Sequence, residues 1–260
     1  MSEAESKSAE LVDIEPDDFV RFLEYAYCGD YTIPLWTLDE GTHVASDVEE
    51  SPTMEEDPSS QPPDAELVDN PMEVPEPEPE PVAVPEEDLT GWARLPTRKK
   101  LSPRQKRKME FRSSFQQRSY LTGVMPHHTI LEGYKPKANT AANQDFTPVF
   151  LAHAHLYSFA DMRLIQPLKD LALYKLHRTL LEFQLYHQRV GDVVELARYA
   201  YDHGPSRSDS GVLDGLRQLV VEYMACEVDI IGKHLEFHIL LEAGGEFVSD
   251  FWRIVARYML

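Results

Sequence analysis

Cysteine is scarce in this chain, with Cys28 and Cys226 the two examples among 260 residues. Two thiols so far apart in sequence exclude a fold built on disulfides. Both read as reduced core residues of an intracellular protein. Long apolar runs are missing too. None approaches the ~20 residues that a membrane-spanning helix requires, and Ser2 to Glu10 is polar and acidic rather than signal-like. The expectation is a chain of the nucleus, the cytoplasm or both, with no membrane partner. Positive charge is absent over a long stretch: Thr37 to Gly91 holds 18 Asp/Glu, 10 prolines and no Lys or Arg. The formal charge of −20 is therefore concentrated in one segment, and the bulk pI near 4.8 weighs against general nucleic-acid binding.

The signatures of several chemistries are also missing. There is no G-x-S-x-G, no P-loop and no G-x-G-x-x-G; Gly244-Gly245 reads as a helix stop. Neither cysteine has an evident paired histidine. His234 and His238 stand four apart with Glu236 between them, but the order is H-L-E-F-H. A zincin helix needs H-E-x-x-H, which sets the glutamate beside the bound water. The pairs His127/His128 and His153/His155 add no third ligand. The expectation is that the chain is not an enzyme and needs no cofactor or metal. A metal-dependent helical enzyme remains the remote alternative, to be judged by metal analysis.

Four zones follow along the chain. Asp17 to Tyr31 reads as an amphipathic helix, with Phe19, Phe22, Leu23 and Ala26 on one face, Asp17 as its cap and Gly29 as its terminating glycine. Residues 37–93 include EEDPSSQPPD and an alternating Pro-Glu run. Proline removes amide donors and disfavours the α region before it, so this zone is expected to be disordered. Residues 94–148 turn basic, with 10 Lys/Arg against Glu110 alone between Arg94 and Tyr120. A loop is expected there, with one short helix around 103–118.

Residues 149–260 are expected to be almost all helix. Phe150, Ala154, Tyr157 and Leu164 mark one face of a first helix, and Pro167 opens the next. Leu173, Leu176, Leu180 and Phe183 form the stripe of that second helix. Asp192 with Glu195 resembles a capping box ahead of Val193, Leu196, Ala197, Ala200 and Tyr201. A long helix carries Leu216, Leu219, Val220, Tyr223, Met224 and Val228. His234 to Ala243 is expected to be helical, and Phe247, Phe251, Ile254, Val255 and Tyr258 close the chain. No repeat of the solenoid kind is present.

Two stretches carry a family resemblance. DDFVRFLEYAYCGDY, entered by the strand-like Glu10–Ile14, resembles the third helix of a BTB/POZ domain. HAHLYSFADMRLIQPLKDLALYKLHRTL, residues 153–180, is similar to the fourth and fifth helices, with Ala154, Tyr157, Ala160, Asp161, Ile165, Leu168 and Leu171 in matching places. Residues 193–201, 216–220, Gly244–Phe247 and Asp250–Trp252 resemble the C-terminal extension of fungal-type BTB proteins. The resemblance implies a mainly α fold: a partial BTB/POZ helical core split by a long disordered insert, followed by a C-terminal helical extension. Its zones are a BTB fragment at 10–36, the insert at 37–148, the fourth and fifth helices at 149–186 and the extension at 187–260. BTB domains place a β-hairpin and two helices ahead of the third helix, so the resemblance also leads us to expect a truncated sequence.

What the resemblance implies about function is protein–protein interaction. BTB proteins self-associate, recruit cullin-type ubiquitin ligases or assemble transcription regulators. The candidate partner-binding residues here are Phe19, Phe22, Tyr25, Tyr27, Tyr31, Tyr157, Asp161 and Arg163. A second reading is a nuclear, transcription-associated factor that uses its acidic, proline-rich segment. Arg98, Lys99, Lys100, Arg104, Lys106, Arg107 and Lys108 resemble a nuclear import signal in an exposed, flexible segment, or pair with the acidic neighbour. Few aromatics interleave with these cations, so base stacking has little to work with. Ser102, before Pro103, is a candidate phosphorylation site whose phosphate would weaken the basic address.

Overall fold

The computed structural model describes residues 14–39, 101–121, 134–204 and 212–258. Within them lie nine α-helices and one two-stranded ladder. In chain order these are α1 (Pro16–Cys28), β1 (Thr37–Leu38), α2 (Pro103–Gln116), β2 (Gln144–Asp145), α3 (Thr147–Met162) and α4 (Gln166–Glu182). After a 3-10 turn (His187–Arg189) come α5 (Val190–Asp202), α6 (Gly215–Cys226), α7 (Val228–Ile231), α8 (Leu235–Ala243) and α9 (Gly245–Tyr258). The fold is mainly α, as the periodicities imply. The Glu10–Ile14 strand, His127/His128, Arg98–Lys100 and the alternating Pro-Glu run lie wholly or largely outside the described residues.

Apolar periodicity located the central helices well. Leu173, Leu176 and Leu180 of α4 are buried, and so are Val193, Leu196, Ala197 and Ala200 of α5 and Leu216, Leu219, Val220 and Met224 of α6. Together with Phe150, Ala154 and Tyr157 of α3 they form one continuous core. Arg217 holds two elements together from inside. Its guanidinium donates to the carbonyls of Ala200 (3.2 Å) and Tyr201 (3.0 Å) at the end of α5, and it pairs with Glu246 of α9. A cation suits the electronegative carboxyl end of a helix.

Helix ends depart from the expectations in instructive ways. α1 begins at Pro16 with Glu15 at its cap, and no side chain caps it; Asp18, not Asp17, is the buried carboxylate. Its far end matches the reading: Gly29 lies at φ 72° and its amide donates to the Tyr25 carbonyl. Asp192 does not cap α5, whose N-terminal neighbour is the 3-10 turn; its carboxylate accepts the Phe146 amide at 2.8 Å. Leu164 does not continue α3. It stands at φ 58° and is 91% exposed, while the Leu164 amide donates to Asp161 and the Ile165 amide to Ala160. That bond pair is the Schellman stop, here with leucine where glycine is usual. Val228 falls beyond Cys226, where α6 ends, in the separate turn α7.

Two stretches within the zone expected as insert join the helical body. α2 contributes Phe111 and Phe115 to the core, and Phe146 is buried beside Phe150 and Phe183 at 5.9 and 5.1 Å. Thr37 pairs with Asp145 and Leu38 with Gln144, antiparallel, so the chain leaves and returns at one place. Closing a loop costs little more as it lengthens, which makes a long insertion at such a ladder tolerable. Cys28 is exposed rather than in the core, whereas Cys226 is buried.

Candidate functional site

α1 is fastened to α3 by residues that are far apart in sequence. The Phe22 ring lies 5.1 Å from that of Phe159. Asp18 accepts from Arg21 at 2.6 Å and contacts His155 Nδ1 at 2.7 Å. These contacts rotate α1 so that Asp18, Phe22 and Tyr25 face the body. Leu23 and Ala26, expected on the inner face, are exposed instead. Val20, Leu23 and Tyr27 then form an outward apolar stripe at i, i+3 and i+7, with Tyr27 87% exposed. Beside it, the turn after α3 exposes Met162, Arg163 and Leu164, and the Arg163 guanidinium sits 5.6 Å above the Phe159 ring.

The candidate partner-binding residues therefore separate. Tyr27 and Arg163 are exposed; Phe19, Phe22, Tyr25 and Asp161 are half-buried. Tyr31 and Tyr157 are buried, at 4% and 1% exposure, so neither stands on the outer surface of the helices as the sequence reading expected. The Tyr157 hydroxyl donates to Asp214 at 2.7 Å, and burial raises its pKa.

Tyr31 is the centre of an internal polar network. Its hydroxyl meets His153 Nδ1 at 2.6 Å, and Lys175 Nζ donates to its carbonyl at 2.7 Å. The ammonium pairs with Asp30 and lies 4.3 and 4.9 Å from the ring centroids of Tyr31 and Tyr134. Burial and the nearby Lys175 charge push the His153 pKa down to about 3, which keeps the imidazole neutral. Burial likewise lowers the Lys175 pKa, against the pull of Asp30.

That network floors an open groove of about 320 Å³. One wall is Thr32–Trp36, which is neither helix nor strand, and the other is Tyr134–Lys137. Lys135 and Lys137 are exposed at its edge. A second hollow, of about 280 Å³, gathers Asp18, His155, Ser158 and Tyr199. Its aspartate–histidine pair invites a nucleophile reading, yet Ser158 Oγ makes no hydrogen bond to His155 among the described residues, so the serine is not activated by it. His234 is a helix cap, its Nδ1 accepting the Glu236 amide at 3.3 Å. Among the described residues no three His, Cys, Asp or Glu side chains converge as metal ligands. No described helix is long and apolar enough to cross a membrane.

Part of the basic run is tied to the helical body. Lys108, Arg112 and Arg118 pair with Asp229, Glu227 and Glu222 of the C-terminal bundle. Arg104, Lys106 and Arg107 are exposed on the first turns of α2. The flexible segment expected for an import signal is a helix from Pro103 onward, anchored through Phe111 and Phe115. Ser102 caps it, accepting the Gln105 amide at 3.2 Å while Gln105 Oε1 accepts the Ser102 amide at 2.9 Å.

No protein-family model, curated protein or solved structure matches this chain. The groove residues Trp36, Tyr134, Lys135, Lys137 and Lys175 escaped the sequence reading. Their one visible signal is that Trp36 follows Pro34 and Tyr134 precedes Pro136, an aromatic–proline pair just before the insert and another within it.

Proposed function

We propose that this chain is a protein-interaction module of BTB/POZ type, acting as an adaptor for a cullin-type scaffold or as a self-associating regulatory scaffold. One observation carries the reading. The two stretches that resemble BTB helices pack directly on each other, through Phe22 on Phe159 and Tyr31 on His153, although 122 residues separate the latter pair. Support also comes from the stripe of Val20, Leu23 and Tyr27 with its neighbours Met162 and Leu164. Exposed apolar side chains in such number are a mark of interaction sites.

Mixing the full chain with purified cullin-type scaffold, and separately testing its self-association, checks this. The wild type is expected to retain the scaffold or a second copy. Leu23→Asp with Tyr27→Asp is expected to lose that partner while melting at the wild-type temperature. Failure to bind either, under conditions where a known BTB adaptor succeeds, overturns the proposal. A second reading, a nuclear regulatory factor, draws on the exposed Arg104, Lys106 and Arg107. Charge reversal at Arg104 and Lys106 should redistribute the protein to the cytoplasm; unchanged localisation rejects it.

A further inference from the structure

We propose that the groove between Thr32–Trp36 and Tyr134–Lys137 binds an extended, acidic, proline-containing segment of a partner protein. The proposal rests on the reading of the chain as a protein-binding module, but names a surface distinct from the α1 stripe. Size is the first argument. At about 320 Å³ the groove is at the small end of ligand-pocket volumes. A space of that size takes a few side chains of a docked segment rather than a large ligand.

Lining is the second. Trp36, Tyr134, Pro34, Pro136, Ile33 and Leu35 present flat and aliphatic faces, the surfaces on which pyrrolidine rings pack. A polyproline segment is extended before it binds, so little chain entropy is lost on docking. The floor is held in shape. Lys175 is fixed by Asp30 and the Tyr31 carbonyl, and the Tyr134 hydroxyl lies 3.5 Å from Thr179 Oγ1.

Charge is the third argument, and it selects the occupant. Among the described residues Asp30 is the one carboxylate that lines the groove, and Lys175 pairs with it. Lys135 and Lys137 then stand exposed on the rim of a chain whose formal charge is −20. A local positive rim on an acidic protein favours glutamates alternating with prolines over a neutral or basic peptide.

Fluorescence anisotropy of a labelled peptide of alternating proline and glutamate, titrated with the full chain, tests the inference. Binding is expected below about 1 mM. It should weaken about fivefold or more when glutamine replaces glutamate, and by a similar factor for Lys135→Glu with Lys137→Glu. Trp36→Ala should weaken it about tenfold, as for loss of an aromatic anchor. Because Trp36→Ala could also disturb the fold, the exposed lysine pair serves as the control variant, with its melting temperature expected to be unchanged. No binding to about 1 mM overturns the proposal. So does binding indifferent to the lysines, or binding that responds to them but not to Trp36 in a variant that still folds. Leu23→Asp with Tyr27→Asp should leave peptide affinity intact. A chain that binds the peptide but neither scaffold nor a second copy would overturn the BTB-type reading alone.

Discussion

Among the described residues, Leu164 is the one non-glycine whose backbone takes a positive φ. An L-residue in the left-handed region costs roughly 1–2 kcal/mol, and at 91% exposure this leucine gains no burial in return. Leu164→Gly removes the Cβ conflict but adds freedom to the unfolded chain, which offsets part of the gain. The expected net effect is stabilisation of about 0.5–1 kcal/mol, measured by urea unfolding; a destabilised variant would refute this account. Asp192 is the opposite case, a side chain well used but in a hostile setting. Burial pushes its pKa up to about 7, although it accepts the Phe146 amide. Asp192→Ala leaves that amide buried without a partner, and should cost about 1–3 kcal/mol. Asp192→Asn keeps an acceptor and should cost much less.

At the scale of elements, α2 shows which of its features matter. Its ion pairs with the bundle, Lys108–Asp229 and Arg112–Glu227, each keep one exposed partner, and pairs open to solvent contribute about 0–1 kcal/mol each. Phe115, by contrast, is 3% exposed and packs 5.0 Å from His177 and 6.2 Å from Tyr223. Phe115→Ala should therefore destabilise the protein by about 3–5 kcal/mol, and Lys108→Ala by less than about 1 kcal/mol. Equal effects of the two substitutions in denaturant titrations would sink this ranking. The same helix explains why a basic sequence was legible as a short helix but not as part of the core. Its apolar residues are outnumbered by cations, so its periodic signal is weak. Only the two phenylalanines, one turn apart, record that it docks.

For the whole molecule, pH reports how charge is distributed through the core. His153 and His177 are held near 3 and 4 by burial, below the ordinary histidine range. Between about pH 4.5 and 5.5 the unfolded chain therefore binds nearly two protons that the native chain refuses. Asp192 works the other way, because its raised pKa lets the native state hold a proton that the unfolded state has lost. The balance leaves about one extra proton on the unfolded chain between pH 4.5 and 5.5, so stability rises there by about 1.2 kcal/mol per pH unit, and the rise levels off towards pH 6.5 as the unfolded histidines lose their protons. Glu24, lowered by its bonds to Thr32, acts in the same direction as the histidines. Asp192→Asn removes the opposing proton and should steepen the rise. Urea titrations at pH 4.5, 5.5 and 6.5 measure both slopes, and a flat or falling profile in the wild type would be the contrary result.

The sequence by itself determined where the chain is helical. It also marked two stops, Gly29 and Gly244, and the core stripes of α3 to α6, because those follow from the 3.6-residue period and from the conformations glycine permits. Tertiary structure alone decided which side of α1 is buried. A period defines a stripe but not its partner, and the pairing of Asp18 with His155 and of Phe22 with Phe159 turned Leu23 outward. It also took Tyr31 and Tyr157 into the interior and brought Lys175 beneath two tyrosines. These outcomes depend on contacts made across dozens to more than a hundred residues of sequence, which no local pattern can specify.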